Sequence, residues 1–291
     1  MIGVDIGSSF TKAGLVKNGE IIYKTRLPST LKSLDSAFAV IDEILGANRV
    51  NLRGIGIAIA GMVMNERILL SAANLGFNDS INIADAVEKR YGIPAKIGND
   101  HSMFALAEKK VGKCDNLVYV ALGTGINVGV ISNGKLYSGA NGVSLEYGHT
   151  CFSPTHEKGA PVCTCGLHNC VEMFVSGNAL MAIGKKAGIK ATRPEEVFNA
   201  SQEIADNFIS CLKTIILNLS NTFRPEKIVI GGGLAPMIKP YIDDLNSDLK
   251  TKNYGYKNAP PIIVETSKLD SAVLGAAGLF DDDTAVDKGA K

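Results

Sequence analysis

Leu122-Gly-Thr-Gly125, Glu146-Tyr-Gly-His149 and Cys163-Thr-Cys-Gly-Leu-His-Asn-Cys170-Val-Glu172 follow one another in a single stretch of the chain. The first segment reads as a strand ending on a glycine turn. Backbone amides in such a turn can converge on a phosphate, because glycine carries no Cβ to block the approach. Cys163, Cys165 and Cys170 place three sulfurs within eight residues, and His149 upstream completes a tetrahedral Cys3His set, the closed kind of zinc site that holds a loop in shape. His168 lies between two of these cysteines and Cys151 lies two residues past His149, so both stand as alternative ligands. Isolated cysteines are usually small core hydrophobes, and Gly-Thr-Gly alone is an ordinary turn. Crowding of the sulfurs is what favours metal.

Leu117–Leu122 runs into Gly123-Thr124-Gly125, continues as Ile-Asn-Val-Gly-Val-Ile-Ser, and turns at Asn133-Gly134. The N-terminus carries the same phrase. Ile2–Ile6, with Asp5 near its end, leads into Gly7-Ser8-Ser9, continues through Thr11 and Lys12, and turns at Asn18-Gly19. Asn-Gly between apolar runs marks a tight hairpin, because both residues accept positive φ. The repeat predicts a duplicated hairpin, one copy per lobe, each gripping phosphate. In the first copy the Asp5 carboxylate is expected to reach magnesium or its water, while Ser8, Ser9 and Thr11 offer hydroxyls and amides. The plain alternative is a tight Asx or Ser turn.

The rest of the chain supplies a scaffold and two further candidates. Apolar spacing predicts helices at 34–45, 83–91, 102–111, 177–187 and 201–223, the last with a broad face suited to lying on a sheet. Gly54–Ala60 reads as a buried strand with Gly61 at its end, where a ligand can approach the backbone. Ile93–Gly98 reads as a strand ending on Asn99-Asp100, which places a carboxylate just before a helix, where α/β sheets bind ligands. The competing reading makes Asp100 the helix N-cap. Lys227–Ile230 delivers Gly231-Gly232-Gly233, flat backbone that suits an adenine or ribose and is otherwise a flexible turn. Ser271–Leu279 reads as a small-residue helix that packs closely across a hinge, and 281–291 as a polar tail.

Composition narrows the function classes. The 291 residues are 46% hydrophobic and 20% charged, which is enough for two lobes with their own cores. The expected division is an α/β lobe over 1–112, rejoined by 280–291, and a larger α/β lobe over 113–279 that contains the zinc loop. Net charge is +1 with the basic residues scattered, which argues against a nucleic-acid partner. No apolar run approaches the ~18 residues of a spanning helix. Six cysteines with no basic, apolar leader point to the reducing cytoplasm.

Taken in order, Asp5-x-Gly7, Asn99-Asp100, Leu122-Gly-Thr-Gly, Gly134-Lys-Leu-Tyr-Ser-Gly-Ala-Asn141, Glu146-x-Gly-His149, Cys163-x-Cys-Gly-x-x-x-Cys-x-Glu172 and the glycines from 231 resemble the repressor/ORF/kinase (ROK) family. The resemblance covers essentially the whole chain. It implies an α/β fold of the two-lobed actin-like ATPase (ribonuclease-H-like) kind, closing on ATP and a sugar. It also implies a homodimer, with Mg2+ on the phosphates and a structural Zn2+. Asp100 then matches the general base. Gly61, Asn99, Glu146, His149 and Glu172 match the sugar-holding positions, and Asp5, Gly7, Ser8, Ser9, Thr11, Lys12, Gly123, Thr124, Gly125, Gly231, Gly232 and Gly233 match the nucleotide-holding ones. His149 would serve zinc with one ring nitrogen and sugar with the other.

Several positions depart from the family pattern. Ser8-Ser9 replaces Gly-Thr, Leu145 replaces the glycine before Glu146, Asn169 replaces the glycine before Cys170, and His101-Ser102 replaces Ala-Asn. Leu145 and His101 adjoin sugar contacts and therefore bear on which sugar is taken. Glucose is the expected substrate, with fructose, allose, N-acetylglucosamine and N-acetylmannosamine as alternatives. A non-catalytic sugar-sensing regulator is the rival class. Such regulators carry a winged-helix segment ahead of the first strand, which here begins at residue 2, so DNA binding is not expected.

Overall fold

The structure is a computed structural model that describes residues 1–48, 51–153, 162–254, 259–265 and 270–281. The polar tail expected beyond Asp281 lies outside them. The chain opens with strands β1 (Ile2–Ile6), β2 (Phe10–Lys17) and β3 (Glu20–Pro28), helix α1 (Asp35–Ala47), strands β4 (Ile55–Ile59), β5 (Met62–Met64), β6 (Ile68–Ser71) and β7 (Ile81–Asn82), helix α2 (Ile83–Tyr91), strand β8 (Ala95–Asn99) and helix α3 (Asp100–Gly112). It continues with β9 (Leu117–Leu122), β10 (Ile126–Ser132), β11 (Lys135–Leu136), α4 (Gly177–Lys186), α5 (Pro194–Ala200), α6 (Gln202–Phe223), β12 (Lys227–Gly231), α7 (Ala235–Ile238), α8 (Ile242–Lys252), β13 (Ile262–Val264) and α9 (Ser271–Ala277).

The repeated sequence phrase reappears as repeated topology. One five-stranded sheet has the order β3-β2-β1-β4-β8 and the other β11-β10-β9-β12-β13. In the first, β1 pairs antiparallel with β2 and parallel with β4, and β8 extends the parallel side. In the second, β12 runs parallel to both β9 and β13. Both Asn-Gly turns adopt the expected left-handed backbone, with φ of +53° and +82° at Asn18-Gly19 and +50° and +75° at Asn133-Gly134. β4 and β9 are buried along their whole length, as central strands covered on both faces should be.

The chain separates into two compact units. One comprises Met1–Lys113, Gly129–Ser144 and Thr266–Lys291, and the other Cys114–Val128 and Leu145–Glu265. These bounds differ from the expected 113–279 lobe in two places, 129–144 and the segment from 266. Helix α9 explains the second. It lies on β1 and β4, where Cβ atoms at Gly3 and Gly56 would run into the Val273 and Ala276 carbonyls, and its own Gly275 sits against the Met103 carbonyl of α3. The small residues of α9 therefore serve close packing on the first sheet and on α3.

Helix α2 spans the predicted residues, with Asn82 accepting the Asp85 amide and Gly92 as a left-handed C-cap. Helix α6 is capped by Ser201 and buries Ala205, Phe208, Ile209, Leu212, Ile215, Ile216 and Leu219, the apolar face its period announces. Helix α3 starts at Asp100, two residues ahead of expectation, because Asn99 rather than a later residue supplies the cap. Helices α5 and α8 had no sequence prediction. α5 is short and relies on a box in which Glu196 accepts the Arg193 amide, and α8 buries only Leu245 and Leu249 of a polar sequence.

Candidate active site

In the first unit, β1 and β2 bring Asp5 opposite Lys12, with Lys12 Nζ 3.5 Å from Asp5 Oδ2. The Asp5 side chain is only 17% exposed. Burial is the main reason its carboxyl is raised to about 6; the nearby charges of Asp100 and Asp270 push the same way, and Lys12 opposes them. Ser8 and Ser9 are exposed at the turn, and the Gly7 amide closes it on the Phe10 carbonyl at 3.1 Å.

Thr11 does not present its hydroxyl at the turn. It was expected to offer a hydroxyl to phosphate, but it is fully buried, and its Oγ1 bonds Ser29 Oγ at 3.0 Å and Ser36 Oγ at 2.8 Å. Ser29 in turn donates to the Gly7 carbonyl at 2.6 Å. Thr11 stands opposite Ile6 on the face of the sheet that looks into the core. Its hydroxyl steadies the turn from behind. Neither Ser29 nor Ser36 carries a sequence signal that marks it for this network.

Asn99 is buried and heavily engaged. Its Oδ1 accepts the His101 amide at 3.0 Å and the Ser102 amide at 3.4 Å, and its Nδ2 donates to the Gly61 carbonyl at 3.0 Å. Helix α3 is thus capped by Asn99, which removes the reading of Asp100 as the cap. Asp100 is the first helical residue, with a side chain 21% exposed. Its Oδ1 accepts the His101 amide at 3.0 Å and lies 3.3 Å from His101 Nδ1, a contact too poorly aligned to satisfy that nitrogen. Gly61 is enclosed as well, since a Cβ there would meet the Ser71 carbonyl at 2.5 Å.

In the second unit the turn after β9 is pinned on several sides. The Gly123 amide bonds the Gly125 carbonyl at 2.9 Å, and the first amides of α4, from Gly177 and Asn178, bond the Gly123 and Thr124 carbonyls at 2.8 and 3.0 Å. The Glu172 carboxylate fills the space where a Gly125 side chain would stand, so a Cβ there would push that carboxylate aside. The glycine run after β12 divides by role. Gly231 makes room for Tyr119, whose hydroxyl donates to Glu265 at 2.9 Å, while Gly232 has φ +89° and packs on the Leu122 carbonyl. Gly233 alone of the three has open space around its Cβ position.

Glu146 begins a tight turn over Tyr147–His149, with the His149 amide returning to the Glu146 carbonyl at 3.1 Å. Asn127, which sequence reasoning missed, reaches this turn from β10: its Nδ2 donates to the Leu145 carbonyl at 2.9 Å and lies 3.4 Å from Glu146 Oε2, and its Oδ1 accepts the Tyr147 amide at 2.9 Å. Behind the turn, one ligand atom each from His149, Cys163, Cys165 and Cys170 lies within 4.8 Å of all the others. His149 Nδ1 is the nitrogen on this side, 3.4 Å from Cys163 Sγ, and the Cys165 and Cys170 sulfurs are 3.3 Å apart. Burial pushes the Cys170 thiol up to about 12, and the adjoining Cys165 and Cys163 add to the rise. Sulfurs about 2.3 Å from a central ion would sit ~3.8 Å apart in a tetrahedron, so the donor set and its spacing fit zinc. Cys151 is exposed and turned to the Ser153 carbonyl at 3.1 Å, outside the cluster, which among the described residues also lacks His168.

Among the described residues no helix is long and apolar enough to cross a membrane. A glucokinase from Halalkalibacterium halodurans is 30% identical over 270 residues, which cover 80% of this chain and 80% of its own. A putative xylose repressor from a Caldicellulosiruptor species is 29% identical over 96% of this chain and 77% of its own length. The crystal structure of a ROK hexokinase from Thermus thermophilus matches with a TM-score of 0.84 at 24% identity, covering 98% of this chain and 99% of that one. The two sheets of like order are therefore those of the actin-like ATPase sugar kinase fold. With the profile of the ROK family matching residues 1–283, from the Asp5 turn to the end of α9 and beyond, the chain belongs to the ROK family.

Proposed function

We propose that this protein is an ATP-dependent sugar kinase that phosphorylates a hexose hydroxyl, with glucose as the first substrate to test. The observation that carries the reading is Asp100, a carboxylate at the end of a parallel strand that is relieved of helix capping by Asn99. In this reading Asp100 takes the proton of the sugar hydroxyl as its oxygen attacks the γ-phosphorus, and ADP leaves. Glu146, Glu172 and the outer nitrogen of His149 hold sugar hydroxyls. Asn99 serves the sugar by fixing the Gly61 backbone and the start of α3. Asp5, Gly7, Ser8, Ser9 and Lys12, and Gly123, Thr124 and Gly125, are the groups that hold phosphate, with Gly233 next to the nucleoside and Gly231 and Gly232 shaping that turn.

Mg2+, when bound with the nucleotide near Asp5, supplies neutralisation of phosphate charge, and positioning by the protein supplies most of the remaining rate. His149, Cys163, Cys165 and Cys170 would hold a Zn2+, which would cross-link the loop that carries Glu146 and Glu172 and leave the outer imidazole nitrogen in a fixed direction. Such thiolates suit a reducing cytoplasm.

Similarity to glucokinase and to a xylose repressor alike leaves a second reading, a sugar-responsive regulator that binds sugar without turnover. A coupled ADP-release assay over hexoses and N-acetylhexosamines separates the two. Sugar-dependent ADP release that Asp100→Asn abolishes supports the kinase. Saturable sugar binding by calorimetry with no ADP release from any of them selects the regulator.

A further inference from the structure

We infer that Asn127 is a positioning residue that aims the Glu146 carboxylate at the sugar, an inference that rests on the role just proposed for Glu146. Asn127 is 5% exposed and sits two residues past Gly125, at the start of β10. Its side chain has two amide hydrogens and two carbonyl lone-pair positions, and all four are engaged. The hydrogens go to the Leu145 carbonyl at 2.9 Å and towards Glu146 Oε2 at 3.4 Å. The oxygen accepts the Tyr147 amide at 2.9 Å and the Val128 amide at 2.9 Å. The amide cannot be turned round, because that would set oxygen against a carbonyl and a carboxylate and NH2 against two N–H groups.

One buried side chain thus grips residues 145, 146 and 147 in succession. The segment is also seated on the backbone just before Asn127, where a Cβ at Gly148 would collide with the Ile126 carbonyl. Asn127 therefore ties the direction of Glu146 to the same strand that begins at the Gly123–Gly125 turn. A carboxylate that must meet a particular sugar hydroxyl gains from such fixing, since a small misplacement of a binding group is felt directly in affinity. The expected signature is a defect in sugar KM with ATP KM preserved.

Asn127→Asp keeps the shape and both acceptor contacts, but it turns an oxygen towards the Leu145 carbonyl and the Glu146 carboxylate. At pH 8 its sugar KM should rise about tenfold to hundredfold, the usual consequence of a buried polar group set against a like partner. Zinc content should equal that of the wild type, and ATP KM should stay within about twofold. At pH 6 the sugar KM of this variant should move back towards wild type, because a protonated carboxyl donates again; a merely structural lesion would not recover in this way. If Asn127→Asp does not fold, Asn127→Ala gives the same reading of sugar KM against ATP KM.

Glu146→Gln is measured alongside. A raised sugar KM in Glu146→Gln with no change in either Asn127 variant overturns the inference and leaves the proposed function standing. An unchanged sugar KM in Glu146→Gln overturns both the role given to Glu146 and the inference that depends on it.

Discussion

Replacing Asp5 by Asn should make the ligand-free protein more stable at neutral pH and a worse catalyst. The Asp5 carboxyl is raised from an ordinary value of 3.8 to about 6, mainly by burial and also by the negative charges of Asp100 and Asp270, with Lys12 only partly offsetting them. The folded state consequently binds more protons than the unfolded state between about pH 4 and pH 6, and stability falls as pH rises through that window. Above about pH 6 the whole penalty is present. Each pH unit of the displacement corresponds to about 1.4 kcal/mol, so the ionised carboxylate destabilises the fold by about 3 kcal/mol.

Asn mimics the protonated carboxyl in size and removes the charge, so Asp5→Asn should gain most of that amount at pH 8 and nothing at pH 4. The measurement is urea unfolding of both proteins in magnesium-free buffer, without chelator so that the cysteine cluster is untouched, at half-unit steps from pH 4 to pH 8. Loss of metal ligation at acid pH is common to both proteins and cancels in the difference. A difference that does not grow with pH, or a variant less stable than wild type at pH 8, refutes the argument. A cation held by phosphate beside Asp5 would relieve the same penalty, so wild type but not the variant should gain extra stability from magnesium with a non-hydrolysable ATP analogue.

Asp100→Asn should lower kcat by at least about a hundredfold, with little change in melting temperature because Asn99 makes the cap, and steady-state kinetics beside thermal unfolding reads both. Thr11→Val should lower stability by about 1 kcal/mol by removing its hydroxyl contacts to Ser29 and Ser36, which keep the Gly7 carbonyl and the Thr30 amide as partners, yet leave ATP KM near wild type; a large ATP KM change would return Thr11 to the phosphate. Elemental analysis should find about one zinc per chain, and a strong chelator should lower both the melting temperature and sugar turnover. Gly125→Ala should displace the Glu172 carboxylate and raise sugar KM, although the substituted residue lies in the phosphate turn.

Sequence signals that depend on the backbone alone were legible. Glycine turns, Asn-Gly hairpins and the cysteine spacing each need a particular residue at a particular place, and the like order of the first three strands in each sheet follows from the repeated phrase. Side-chain direction was harder to read. Strand alternation from Phe10 puts Thr11 with Ala13 and Leu15 on the core face and Lys12 on the other, so the period-two rule could have withdrawn the Thr11 hydroxyl from phosphate. Asn127 offered no such clue, because the first six residues of β10 are buried and alternation there carries no information. The place of α9 was hidden for a related reason. Gly3 and Gly56 read as ordinary strand residues until the helix that needs their missing side chains is set on them.

The two copies of the hairpin share a topology but place their polar groups differently. The turn after β1 carries ionisable Asp5 and Lys12 and exposed serines, with a carboxylate held against its own burial. Such a turn has unmet electrostatic demand, which a cation with phosphate would satisfy. The turn after β9 has no charge of its own and is fixed by the first amides of α4, with negative charge brought beside it by Glu172. A turn built that way is already in its final shape and gains little from ligand. Ordering on nucleotide binding should therefore be concentrated at Gly7–Ser9 rather than at Gly123–Gly125. Hydrogen exchange with and without the ATP analogue measures it, and protection gained mainly at Gly123–Gly125 would contradict the division.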